Sequence, residues 1–218
     1  MSAKSANAPK RQYRKRQRAA QEDETRRRIT EAAVHLHGSL GPARTTVSAV
    51  AERAGVQRAT VYRHFPDEHS LFDACSSHWA AEHPLPDLEA WEAIADPEER
   101  LRTALGELYA WFARGEPMLE KTTRDAAVVP AMQPAVASMG RWFAAAAETL
   151  MRGRSQRGGR RRLLRGSVGH ALSFATWRSL VRDQGLSQAE AVDLIAGMVE
   201  TSAPPPPRRS PAAPRRAA

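Results

Sequence analysis

This chain of 218 residues carries a single cysteine, Cys75, so no intrachain disulfide framework can staple it, and it suits a reducing compartment. It holds no run of 18 apolar residues, which excludes a membrane-spanning helix. Its basic N-terminus is not followed by an apolar segment, which excludes a secretory signal and makes a cytoplasmic location the expectation. Neither alternating strand patterns nor an internal repeat stand out. The seven histidines fall at no metal-ligand spacing, and no glycine-rich phosphate loop or activated nucleophile is present. These absences argue against an enzyme and leave no cofactor or metal to expect.

What the chain has in excess is positive charge. Lys and Arg total 33 against 24 Asp and Glu, for a net charge of +9. Such a balance points to a polyanionic partner, without separating nucleic acid from a membrane surface. The bias is uneven, because Lys4, Lys10, Arg11, Arg14, Lys15, Arg16 and Arg18 all precede the first acidic residue, Glu22.

The pattern divides the chain into five parts. Residues 1–21 are polar and basic without apolar periodicity and read as a flexible arm. Its cations have two functional readings, minor-groove tracking or nonspecific phosphate attraction, beside that of a solubility tail. Residues 22–83 form a helical domain, residues 84–96 a linker opened by His83-Pro84-Leu85-Pro86, and residues 97–201 a second helical domain. From Ser202 onward a Pro/Arg/Ala mixture cannot bury a core, so residues 202–218 read as a disordered tail.

In the first domain, Ile29, Ala32, Ala33, Leu36 and Leu40 line one face of a helix from about Glu22 to Leu40. Val47, Val50, Ala51 and Ala54 then give a second apolar face, with Thr46 as its N-cap and Gly55 for a sharp turn. Val61 and Phe65 pin a third helix onto the second. This leaves Gln57, Arg58, Ala59, Thr60, Tyr62, Arg63 and His64 for the outside. A two-helix unit presenting such donors is what a major-groove reader needs. Arg58 suits guanine, Thr60 a phosphate or a thymine methyl, and Ser48 is a weaker base-contact candidate. Asp67 caps a fourth helix with Leu71, Phe72, Cys75 and Trp79 inward.

The string from Thr45 to Phe65, ending Ala59-Thr60-Val61-Tyr62-Arg63-His64-Phe65, resembles the TetR family of bacterial transcriptional regulators, over about Glu22 to His83. The resemblance implies a DNA-binding role for Arg58, Ala59 and Thr60, and phosphate contacts for Tyr62 and His64. Where the family usually has a phosphate-contacting Lys, three residues after Phe65, this chain has Glu68.

The remainder reads as helical. Asp96-Pro97-Glu98-Glu99 opens a helix to Gly115, a shorter one spans about Met118 to Asp125, and Pro130 and Pro134 introduce another. A long helix from Arg160 to Asp183 and a last one opened by the Ser187-Gln188-Ala189-Glu190 capping box complete the chain. The expected fold is all-α, a helix-turn-helix domain followed by a helical effector-binding and dimerisation domain. The family resemblance implies a homodimer, double-stranded DNA and a small-molecule effector as partners, and usually repression. The aromatic and Met stripe nominates Trp111, Met118, Met139, Trp142, Phe143, His170, Phe174 and Trp177 for the effector, although such a stripe is usually plain core. A nonspecific architectural DNA binder without an effector is the alternative.

Overall fold

The computed structural model describes residues 8–202, with side chains from Gln12 onward, and all regular structure among them is helical. The helices are α1 Ala8–Ser39, α2 Val47–Ala54, α3 Arg58–His64, α4 Glu68–Glu82, α5 Leu88–Ala93, α6 Pro97–Asp125, α7 Gln133–Met151, α8 Gly158–Ala171, α9 Phe174–Arg178 and α10 Gln188–Ser202. No helix is long and apolar enough to cross a membrane among the described residues.

Two compact units result. One holds the chain up to Leu85 with Ala113–Gly140, and the other holds Pro86–Phe112 with the chain from Arg141 onward. The divisions fall between Leu85 and Pro86, within the stretch expected as a linker, and again inside α6 and α7. Residues 84–96 contain α5, capped by Asp87, whose side chain accepts from Glu89 N. Its Trp91 is fully buried and donates to Glu107 at 2.7 Å. Buried Arg100 donates to Ile94 O, Thr149 O and Arg152 O, tying this stretch to the end of α7. The short segment is structural because it supplies a buried indole and the acceptors for a buried cation.

Three other expectations change. The arm is no loose tail from Ala8 onward, since α1 starts there and runs 32 residues. Arg, Lys, Gln, Ala and Glu are all good helix formers, a property that apolar periodicity does not register. The tail beyond Ser202 lies outside the described residues, as do residues 1–7. The helices expected on either side of Gly115 are one, α6, which passes through Gly115 and Pro117. Gly115 is needed for packing, because a Cβ there would sit 3.0 Å from the Trp79 ring. The long helix expected from Arg160 to Asp183 is broken at Leu172 and Ser173. Ser173 caps α9 by accepting from Ala175 N, and α9 passes into a π-helical turn, Ser179–Asp183.

The start signals hold. Asp96 accepts from the backbone N–H groups of Glu98 and Glu99 at 2.9 and 2.8 Å, and Ser187 and Glu190 cap each other reciprocally. In the first unit, Ile29, Ala33, Val50, Ala54, Val61, Phe65, Leu71 and Cys75 form the core. Of these, Ile29, Val50, Val61, Phe65 and Leu71 each contribute roughly 1.5–3 kcal/mol on burial. Cys75 is the buried hydrophobe the sequence suggests, and burial pushes its thiol up to about 12.

His37 is buried and stacks on Phe72 with ring centroids 4.7 Å apart. Burial pushes its pKa down to about 4. As pH falls below the ordinary histidine value near 6.5, the unfolded chain takes up a proton that the folded chain refuses until about pH 4. Stability therefore falls through that window, by roughly 3 kcal/mol in all. His37→Phe keeps the stacked ring and should abolish this share of the acid sensitivity. Urea midpoints measured from pH 7 to 4.5 check it, and equal acid slopes in wild type and variant would refute it.

Candidate nucleic-acid interface

The geometry of α2 and α3 follows from local sequence. Thr46 caps α2 by accepting from Ala49 N at 3.2 Å, so its hydroxyl is already engaged. Gly55 ends α2 in the left-handed region at φ 65°, which lets the chain turn at once into α3. Val61 and Phe65 are buried in the core, and this fixes which side of α3 faces out. Arg26 of α1 donates to His64 O at 2.6 Å, and its guanidinium lies 4.1 Å over the Phe65 ring. Arg28 donates to Ala54 O at the end of α2. Two arginines of α1 thus hold the C-terminal ends of both helices.

The outward arc carries the residues that the sequence nominates. Ser48, Gln57, Arg58, Ala59, Tyr62 and Arg63 are exposed, Tyr62 at 47 % despite its ring. Among the described residues, no hydrogen bond or ion pair engages the side chains of Ser48, Gln57, Arg58, Tyr62 or Arg63. Positions 58, 59, 62 and 63 fall on adjacent sectors of the helix, so two guanidiniums and a phenol share one surface with a methyl between them. Thr60 is half-buried at its margin. His64 differs from the others, because it is half-buried with Nε2 closed off from solvent and without a partner among the described residues. Glu68 opens α4 directly after the Asp67 cap, where Asp67 accepts from Ser70 N at 2.7 Å. A carboxylate in a first turn is favoured by the helix dipole, so Glu68 serves α4.

The loop ahead of α2 is held by the end of α6. Arg124 donates to Leu40 O at 3.1 Å, and buried Asp125 accepts from Ala43 N at 3.0 Å while pairing with Arg124 at 2.7 Å. The Arg124 guanidinium, together with the Ala43 amide, holds the Asp125 carboxyl below the usual carboxylate range. By sequence these two look like a surface ion pair. In the structure the pair is a clasp on the helix-turn-helix loop.

The residues nominated for an effector are divided between the two units. Met118 and Met139 belong to the first unit, whereas Trp111, Trp142, Phe143, His170, Phe174 and Trp177 belong to the second. There the hub is a residue outside the nominated set, Phe112, whose ring meets those of Tyr109, Trp111, Phe143, Phe174 and Trp177 within 6.4 Å. Its place directly after the nominated Trp111, on the same apolar face, was the available signal. Trp142 packs edge-on against Trp91, and His170 is exposed. The Trp177 indole N–H is buried and has no acceptor among the described residues.

The sequence pattern described as "Bacterial regulatory proteins, tetR family" matches residues 29–75, the span from the buried face of α1 to Cys75 of α4. Over this span the chain carries the TetR-family helix-turn-helix. Over 87 residues it is 36 % identical to the HTH-type transcriptional regulator SrpR of Pseudomonas putida, covering 36 % of this chain and 40 % of SrpR. The same identity over 87 residues links it to TtgW, an uncharacterized HTH-type transcriptional regulator also from Pseudomonas putida, covering 36 % of this chain and 63 % of TtgW. The matched stretch thus spans less than two thirds of either relative. The fold is similar to that of AibR, solved in complex with isovaleryl coenzyme A and operator DNA. That match has a TM-score of 0.59 and 21 % identity, and covers 83 % of this chain and 99 % of AibR. SrpR and TtgW are both named as transcriptional regulators.

Proposed function

We propose that this chain is a TetR-family, ligand-responsive transcriptional regulator, most simply a repressor, that binds a palindromic operator as a homodimer. The observation that carries the reading is the exposed arc of α3, where Arg58, Tyr62 and Arg63 stand without side-chain partners among the described residues, on a backbone held by Arg26 and Arg28. Two such helices would enter successive major grooves about one helical turn apart, roughly 34–36 Å. Thr46, Ser48, Gln57, Ala59 and Thr60 complete the contact surface. His64 contributes less than the sequence suggests, because its Nε2 faces inward.

The effector site is proposed in the second unit, around Phe112 with Trp111, Phe143, Phe174 and Trp177. An apolar ring system carrying one hydrogen-bond acceptor fits this lining, the acceptor meeting the unpaired Trp177 N–H. By linkage such a ligand weakens DNA binding by the factor by which DNA weakens its own.

Selecting duplexes from a random pool with the full chain tests the reading. Arg58→Ala should relax discrimination at one base pair per half-site by about 1–3 kcal/mol. Tyr62→Phe should weaken selected and random duplexes alike, by roughly 1.5–3 kcal/mol. Compounds that release the selected duplex should change tryptophan fluorescence at the same concentration. A pool that enriches no sequence, with Arg58→Ala indistinguishable from wild type, would favour the architectural binder.

A further inference from the structure

We propose that the N-terminal part of α1 is a second DNA-contacting element, a helical cationic rod that lies along the phosphate backbone outside the segment read by α3. The proposal rests on the helix-turn-helix reading above and deepens it.

At residues 26–28, α1 is fastened to the ends of both reading helices, through Arg26 to His64 O and Arg28 to Ala54 O, and Ile29 is fully buried. N-terminal to this anchor the helix continues without interruption to Ala8, and every described residue from Gln12 to Glu24 is exposed. Among the described residues, no packing accounts for this extension. Up to Gln21 it carries charge of one sign, because no acidic residue occurs before Glu22.

The cations are patterned. Arg14, Lys15 and Arg18 fall within one third of the helix circumference. Glu22 and Ile29 lie on the same sector further along, so the stripe continues the face that α1 turns toward its own domain. Among the described residues no ion pair engages Arg14, Lys15 or Arg18, whereas Arg27 within the anchor is bridged to Glu24 and Glu31 at 2.7 and 2.6 Å. Like charges at this spacing repel one another and work against the helix. A polyanion along the stripe reverses that sign.

Geometry selects the polyanion. The stripe is joined by continuous helix to the anchor that holds α2 and α3, so duplex DNA seated on α3 runs within reach of it. Arg18 lies about 16 Å along the axis from Ile29. B-form DNA offers one phosphate per about 1.7 Å of its length, so several charges fall beside this span. A contact of this kind positions and strengthens without reading bases.

Three proteins decide it: wild type, Arg14→Gln/Lys15→Gln/Arg18→Gln, and Gln17→Pro, which keeps every cation but interrupts the helix. Affinity for a mixed-sequence duplex is measured against salt, and backbone protection is mapped on a selected duplex. The triple variant should lower the slope of log affinity against log salt by roughly 0.9 for each phosphate it no longer neutralises. It should also give up protection outside the α3 segment while keeping it within. Gln17→Pro should give up the outer protection as well. A wild-type slope in the triple variant overturns the proposal, and wild-type outer protection in Gln17→Pro overturns the rod in favour of a flexible tail. Arg58→Ala in the same assays separates the two readings. If it leaves discrimination unchanged while the triple variant has a reduced slope, α3 is no base reader and the stripe still binds phosphate.

Discussion

Leu194→Glu combined with Met198→Glu should leave the protein folded, convert a dimer to monomers and lower operator affinity by roughly 10²–10⁴-fold. On α8 and α10 the buried faces are Leu164, Val168 and Ala171 against Ala191, Ile195, Ala196 and Val199. Each helix also carries apolar residues on its outer side. Leu163 is 59 % exposed, Leu194 44 % and Met198 54 %. Between them, a Cβ on Gly166, Gly169 or Gly197 would meet no atom within 4 Å, so a second pair of helices can approach closely there. Covering Leu163, Leu194 and Met198 in both copies yields roughly 1.5–3 kcal/mol per side chain. Two carboxylates in that seam remove the gain and add a desolvation cost of several kcal/mol. Ile195 is the wrong probe, because it is already buried within one subunit and a charge there would unfold it. Light scattering beside DNA titration checks the outcome. A double variant that stays dimeric, or a monomeric wild type that binds its operator tightly, refutes this seam.

Gly41→Ala should lower the melting temperature by about 10 °C, following a loss of about 3–4 kcal/mol. Gly41 sits at φ 96° and ψ 154°, a backbone region open almost to glycine alone. An added Cβ would also collide with Arg124 Nη2 and lie 2.5 Å from Asp125 Oδ2. Arg124 is exposed and can swing aside. Asp125 cannot, because it is buried and accepts from Ala43 N. The substitution therefore combines backbone strain with loss of a charge-assisted hydrogen bond. Asp125→Asn, which adds no volume, should cost less, and the two should combine non-additively because they break the same clasp. A Gly41→Ala protein melting within about 2 °C of wild type would show that the loop yields without cost.

The helix-turn-helix was legible because every level agreed there. Apolar spacing, the Thr46 cap, the Gly55 turn and the inward Val61 and Phe65 all imply one packing. Capping chemistry located α6 and α10 for the same reason, through Asp96 and through Ser187 with Glu190. What escaped was structure that local pattern does not encode. The N-terminal part of α1 has propensity without a buried face, and α6 continues through Gly115 because Trp79 fills the space a side chain would take. The break at Ser173 competes with the helix through its own side chain, and Phe112 becomes a hub only once distant turns meet.

The burial of Cys75 offers a spectroscopist a clean background. Its thiol is shielded and held protonated at neutral pH, so maleimide-type reagents should pass it by. A single cysteine placed at an exposed position such as Arg63 would then be the one reactive handle per subunit, with the natural sequence otherwise intact. Paired spin or dye labels at that handle would report the spacing of the two recognition helices in a dimer directly, with and without a ligand.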